Sequence, residues 1–342
     1  MEKNKKLITQ RISKVICFLL IFTAFLGIGS KIFIPKKNSA EYGNKNYYGN
    51  SYHGERANSI DIVVVGNSSA YKSFSPLELW NKYGYTSFVC GAPAQKIQEG
   101  YYMLENFLKE QKPKVVIYET EGIFNSYGKK IKSSYNQAKR DLIFLSNEID
   151  GINATLDVVT ANICPLLKYH NRWSSLKPED FTLEPDYSKH YVSKGYVLTN
   201  KVKPYRGNKN YMKPSDYTTP IQYTNLYYLN KMKELCDKNG AEFVLMSSPL
   251  PRAWNDERHK AVKAYAEKNN IKYLDTNLYI DEMKIDWSKD SSDKGYHLNV
   301  YGAKKNTAFV GKYLTDNFTD HRGDKEFSQW NKDYKIYSNQ KD

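Results

Sequence analysis

The sequence predicts an α/β fold: a three-layer sandwich with a central parallel sheet, helices on both faces, an inserted cap region and an N-terminal transmembrane helix. Three observations predict it. Five short apolar runs bounded by turn signals read as strands, at Ile60–Val65, Thr86–Cys90, Lys114–Tyr118, Glu242–Met246 and Lys272–Leu274. Most of them are followed by a helical pattern, and strand–helix alternation argues for parallel strands. A single uncharged apolar segment precedes them all.

That segment comes first. Residues 1–14 carry Lys3, Lys5, Lys6, Arg11 and Lys14 against Glu2, and Val15 to Ser30 has no charge. With Lys31 snorkelling, residues 15–35 give about 20 residues, enough to span ~30 Å of hydrocarbon. The basic flank belongs in the cytoplasm and the body outside. The alternative is a cleaved signal, for which Gly27-Ile28-Gly29 is a poor cleavage site. Residues 36–58, rich in Asn, Gly and Tyr, read as a linker.

The first strand ends on Gly66-Asn67-Ser68-Ser69. Ser75-Pro76-Leu77-Glu78 then reads as a helix start, with Ser75 as N-cap, Pro76 at the first helical position and Glu78 closing a capping box. Helices are expected over Gln95–Gln111, Pro220–Lys238 (ended by Asn239-Gly240), Asp256–Lys268 and Tyr301–Asn317. Residues 128–215 break the rhythm and read as an insertion over the sheet, within a catalytic domain of residues 59–320. Residues 321–342 read as a polar, poorly ordered tail.

The chain has 342 residues, long enough for a full core, with a net charge of +14 and 30 tyrosines. The charge favours polyanionic partners. No zinc-finger, RNP or helix-turn-helix signature supports nucleic acid. Four cysteines, Cys17, Cys90, Cys164 and Cys236, stand singly, which indicates neither a zinc site nor a disulfide framework. No metal or cofactor is called for.

Ligands of open α/β sheets bind beyond the carboxyl ends of the strands. Ser68 lies at such an end, where a serine projects into the crevice and its own N–H can face an oxyanion. Near the C-terminus stands DKGYHLNVYGAKKNT, residues 293–307. A serine hydroxyl needs a base, which His297 can supply, and the imidazole needs a carboxylate to fix its tautomer, which Asp293 can supply. Each stretch alone reads as a turn; together they point to a nucleophile and its base. Asn67, Ser69, Trp254, Asn255, His170 and Arg172 are weaker candidates for binding substrate. Packing or capping is the competing reading for Ser69, Trp254, His170 and Arg172. His53, His190 and His259 have no partner at metal spacing and read as surface residues.

These residues carry a resemblance. Gly66-Asn67-Ser68, Gly91 after the second strand, and His297-Leu298-Asn299 with Gly302-Ala303 resemble the motifs of SGNH (GDSL-like) hydrolases. The closer resemblance is to their membrane-anchored, DltD-like branch in Gram-positive bacteria, to which residues 168–181 are also similar. The resemblance implies an SGNH, flavodoxin-like sandwich, Ser68 as nucleophile, His297 as base, Asp293 as its orienter, and an oxyanion hole from the N–H groups of Ser68 and Gly91. Two departures stand out. Asp293 lies four residues before His297 rather than three, with Asp290 as the other candidate. The G-x-N-D motif after the third strand is replaced by Glu119-Thr120-Glu121.

What the resemblance implies is an extracytoplasmic O-acyltransferase moving an acetyl or D-alanyl group to hydroxyls of a cell-surface glycopolymer (wall, teichoic acid or capsule). It implies a membrane-bound O-acyltransferase as partner. A carbohydrate esterase of the same fold and an inactive anchored glycopolymer-binding protein remain the alternatives.

Overall fold

A computed structural model describes residues 2–36, 51–125, 166–182, 184, 186, 188–314 and 318–340. The chain divides into two compact units, one of Met1–Asn38 with Ser146–Tyr187, the other of Ser39–Leu145 with Ser188–Asp342.

In the first unit, helix α1 (Glu2–Phe33) contains the apolar span, and Lys6–Phe33 is long and apolar enough to cross a membrane. Of the expected insertion, residues 166–182, 184 and 186 belong to this unit and residues 188–215 to the other. The Leu166 N–H donates to Ser30 Oγ at 3.3 Å, and Lys31 pairs with Glu184 at 3.4 Å. Residues 126–165 lie outside the described residues.

The second unit holds the sheet: β1 (Ile62–Gly66), β2 (Ser87–Gly91), β3 (Val115–Glu119), β4 (Glu242–Ser247) and β5 (Lys272–Asp275). All pairings are parallel and the order is β2-β1-β3-β4-β5. Each strand runs at least one residue past the apolar stretch that marks it in sequence. Those end residues are Gly66, Gly91, Glu119, Ser247 and Asp275, whose backbones still pair although their side chains are polar or absent. Order reverses between β1 and β3, so the crevice beyond their carboxyl ends is where such a sheet takes a ligand.

Alternation along β1 makes the three layers. Val63 and Val65 enter one core, with helices α4 (Ile97–Phe107), α5 (Tyr223–Lys238) and α6 (Asp256–Lys268). Ile62 and Val64 enter the opposite core, with Ala70 and Tyr71 of α2 (Ser68–Ser73), Leu79 of α3 (Pro76–Tyr83) and Val310 of α7 (Val300–Tyr313). Successive strand side chains face opposite ways, so a fully apolar strand demands cover on both sides.

Three sequence expectations give way. Ser75 precedes α3 but makes no side-chain cap; its Oγ donates to Tyr337 Oη at 3.0 Å. The stretch after Asp320 is not poorly ordered throughout: α8 (Ser328–Asn339) buries Trp330, Asp333 and Tyr337. Part of the expected linker is core, because Tyr52 is buried edge-on to Phe107 at 5.1 Å.

The histidines read as surface residues have carboxylate partners far away in sequence. His53 meets Glu110 at 2.6 Å, and His190 meets Asp333 at 2.8 Å. Beside His190, the fully buried Lys194 ammonium sits between Glu55 and Asp333 at 2.8 and 2.7 Å. A buried cation is tolerated only when paired, so this cluster ties α8 to the sheet's outer edge, where Lys194 O accepts the Val89 N–H at 3.0 Å.

Candidate active site

The turn after β1 is built by its small residues. A Cβ on Gly66 would stand 2.9 Å from both Ala70 Cβ and Glu119 Cβ, so only glycine lets β1 turn here against β3. Asn67 is the N-cap of α2: its Oδ1 accepts the Ser69 N–H at 2.8 Å. Ser69, expected as a cap or substrate contact, is buried, and Asn67 takes the cap. The serine between them, Ser68, is the first helical residue and is half-buried at the sheet's carboxyl edge.

His297 approaches on a loop that folds back on itself. Ser291 and Leu298 form an antiparallel bridge, and Ser292 N–H donates to His297 O at 3.0 Å. Lys294 and Gly295 take left-handed φ values of 67° and 95°, which absorbs the extra residue between Asp293 and His297. Ser291 Oγ accepts the Gly295 N–H at 2.7 Å, and glycine suits the positive φ there.

The same loop is locked to α7. Asn299 caps that helix, its Oδ1 accepting from Tyr301 and Gly302 N–H at 3.1 and 3.2 Å, while its Nδ2 donates to Lys289 O at 2.6 Å. A Cβ on Gly302 would lie 2.7 Å from Asp290 O. The H-L-N-x-x-G-A spacing therefore has a mechanical meaning: base, cap, and the glycine that lets loop and helix touch.

The two ends of the chain meet. Ser68 Oγ and His297 Nε2 are 2.8 Å apart. Asp293 Oδ1 accepts the His297 backbone N–H at 2.7 Å, and its Oδ2 faces His297 Nδ1. A carboxylate can only accept, so Nδ1 carries the proton and Nε2 is left to accept from the serine. Burial pushes the Asp293 carboxyl up. The hydrogen bond and charge of His297, aided by Lys72, outweigh it and hold the group below its ordinary value. Asp290 is engaged elsewhere, buried and paired with Lys305 at 2.6 Å.

Gly91 ends β2 in register with Gly66. A Cβ there would crowd Gly66 O at 3.0 Å and Tyr71 Cδ1 at 3.1 Å. Across the switch point, the Glu119-Thr120-Glu121 turn stands where an Asn-Asp pair is absent. Glu121 Oε2 accepts from Asn67 Nδ2 and, at 2.9 Å, from Asn125 Nδ2. Sequence reasoning passed over Asn125; its only signal was its place at the end of the strand-following turn. Burial, then the Glu121 charge, push the Glu119 carboxyl up to about 8, against N–H donors from Ser248 and Glu121 at 3.2 Å each.

Three of the other candidates, Trp254, Asn255 and Arg172, make structural contacts. Trp254 is buried, donates from Nε1 to Asp275 Oδ2 at 2.9 Å, and packs edge-on to Phe124. Asn255 caps α6 through the Arg258 N–H. His259 contacts the same Asp275 at 2.7 Å, and Tyr273 and Ser247 extend this buried network to Thr120. Arg172 is buried in the first unit against Asp180 at 2.7 Å, and His170 lies in that unit with it. Among the described residues no cluster of three His, Cys, Asp or Glu side chains is poised for a metal ion.

No family model matches the chain, and no curated protein does. Solved structures similar to it include the following two. One is a GDSL-like lipase from Bacteroides thetaiotaomicron, at 14% identity over 74% of this chain and 86% of that one, with a TM-score of 0.33. The other, assigned to the acylhydrolases and from Bacteroides fragilis, has 12% identity over 77% and 93%, with a TM-score of 0.35. The likeness is remote, and the chemistry of the site stands on its own geometry.

Proposed function

We propose that this protein is an extracytoplasmic serine-nucleophile enzyme of the SGNH (GDSL-like) kind, in its membrane-anchored, DltD-like branch, which transfers an acyl group to hydroxyls of a cell-surface glycopolymer. The observation that carries the reading is the 2.8 Å contact between Ser68 Oγ and His297 Nε2, with Asp293 on the far side of the ring.

Ser68 Oγ attacks the carbonyl carbon of a donor ester or thioester while His297 Nε2 takes its proton. The N–H groups of Ser68 and Gly91 face the developing oxyanion. Collapse expels the donor's alkoxide or thiolate, which receives that proton from His297, and leaves an acyl-serine. An acceptor hydroxyl then gives its proton to His297 and attacks the acyl carbon. The ester passes to the acceptor, and Ser68 regains its proton. Water in the acceptor's place gives hydrolysis by the same steps. α1, apolar over a membrane's thickness and basic at its start, holds the enzyme at the membrane with its body outside. A membrane-bound O-acyltransferase supplies the acyl donor.

The test uses the full chain in detergent. p-Nitrophenyl acetate turnover and fluorophosphonate labelling are measured for the parent and for Ser68→Ala. Both signals are expected to vanish in the variant. Full turnover without the hydroxyl removes Ser68 as the nucleophile, and the reading with it. Acyl transfer to added polymer, against release to water, separates transferase from esterase.

A further inference from the structure

From Ser188 to Ser215 the chain contains no Asp or Glu. Its middle runs against the loop that carries Asp293 and His297. Lys203 N–H donates to Ser291 O at 2.8 Å, and Lys294 N–H donates to Lys203 O at 3.1 Å. Lys201, Lys203, Arg206 and Lys294 are exposed, and none of them forms an ion pair among the described residues. Two exposed cations elsewhere on the unit are paired, Lys272 with Glu242 at 2.8 Å and Lys312 with Glu282 at 3.2 Å.

Arg252 adds a shaped group to this charge. It stands on the turn after β4. Its Nε donates to Lys294 O at 2.7 Å, and its guanidinium carbon lies 5.3 Å from the Tyr296 ring and 5.7 Å from the Tyr205 ring. Tyr296 directly precedes His297. Stacking and the Nε bond fix the plane, while the two terminal nitrogens make no hydrogen bond or ion pair among the described residues. A guanidinium held this way surrenders little freedom when its fork takes a carboxylate or phosphate in bidentate fashion. A lysine-only patch would attract anions without orienting them.

We propose that Arg252, with Lys203, Arg206 and Lys294, is an anion subsite that receives a carboxylate or phosphodiester group of the acceptor polymer beside His297. The inference rests on the proposed acyl transfer for the identity of its ligand as acceptor. The charge and geometry stand without it. The subsite orients the polymer so that a hydroxyl near the bound anion reaches the base.

The experiment measures binding of three fluorescent probes to the full chain in detergent: polygalacturonate, poly(glycerol phosphate) and uncharged dextran. Two double variants remove the same charge, Lys203→Gln/Arg252→Gln at the subsite and Lys272→Gln/Lys312→Gln away from it. Thermal melts establish that each is folded. The subsite pair is expected to weaken binding of at least one anionic probe by about tenfold or more and to flatten its salt dependence, and the distant pair by less than about twofold. The anionic probe that binds more tightly identifies the group as carboxylate or phosphodiester. Equal losses in the two pairs, or dextran binding as tightly as the anionic probes, overturn the proposal. Ser68→Ala separates the two claims. Polymer binding that depends on Arg252 without any Ser68-dependent turnover keeps the subsite and ends the acyl-transfer reading. Ser68-dependent turnover with equal losses in the two pairs does the reverse.

Discussion

Replacing Asp293 by Asn changes one atom and, by the geometry here, the tautomer of the base. Oδ1 accepts the His297 backbone N–H at 2.7 Å, and Oδ2 faces Nδ1. Asparagine has a single oxygen. The backbone N–H can only donate, so the amide oxygen stays with it and the NH2 group turns to Nδ1. An NH2 facing Nδ1 selects the ring protonated on Nε2. That proton then points at Ser68 Oγ, 2.8 Å away, and the ring cannot take the serine's proton. Loss of the right tautomer costs on the order of 10⁴ in kcat, about 5 kcal/mol. The Asp293 side chain is one-third exposed, at 33%, so water compensates in part. The expected loss is therefore ~10³–10⁴. The assay is the rate of fluorophosphonate labelling of Ser68 at neutral pH, with Asp290→Asn as the comparison, because Asp290 serves Lys305 instead. If Asp293→Asn labels within about tenfold of the parent, the tautomer argument fails.

Glu119 holds its proton up to about 8 in the folded state, so stability falls as pH rises from ordinary carboxylate values to about 8; Glu119→Gln should flatten a urea-midpoint series over pH 5–8.5, removing a swing on the order of 4 kcal/mol. Asp333→Ala leaves buried Lys194 with Glu55 alone and should cost about 3 kcal/mol by urea unfolding, while Lys335→Ala on the same helix should cost under about 0.5. Gly302→Ala should lose about 1–3 kcal/mol by overpacking against Asp290 O, and slow Ser68 labelling by shifting the His297 loop.

The five strands are legible because apolar runs between turn signals record burial on both faces, and burial is written in side chains. Their C-terminal ends are not legible to the residue. Gly66, Glu119 and Asp275 pair through backbone, and hydropathy is blind to backbone. The helices follow the same rule. Asp256–Lys268 is read to the residue, since Asn255 caps it through a local contact that spacing can register. α8 escaped because its buried face includes Asp333, a charged residue that looks like surface until Lys194 is found against it.

The site divides in the same way. Local chemistry points to Ser68, His297 and Asp293, since Gly-Asn-Ser at a strand end and an acid and imidazole on one loop are short-range patterns. Sequence spacing put Asp293 one residue off the usual place and kept Asp290 as a substitute. The left-handed turn at Lys294 and Gly295 brings Asp293 back to the ring, while Lys305 occupies Asp290.

The amino-acid order by itself determined the alternating strands and helices, the apolar segment at the start and the chemical types of the reacting groups, because each depends on neighbours within a few residues. Only the tertiary structure decided that Ser68 and His297 touch across 229 positions, that Glu121 gathers the amides of Asn67 and Asn125, and that Arg252 lies between two tyrosines beside the base. Those contacts are set by parallel strand order and loop closure, which bring distant residues to one edge of the sheet, and no local periodicity encodes which distant residues will meet.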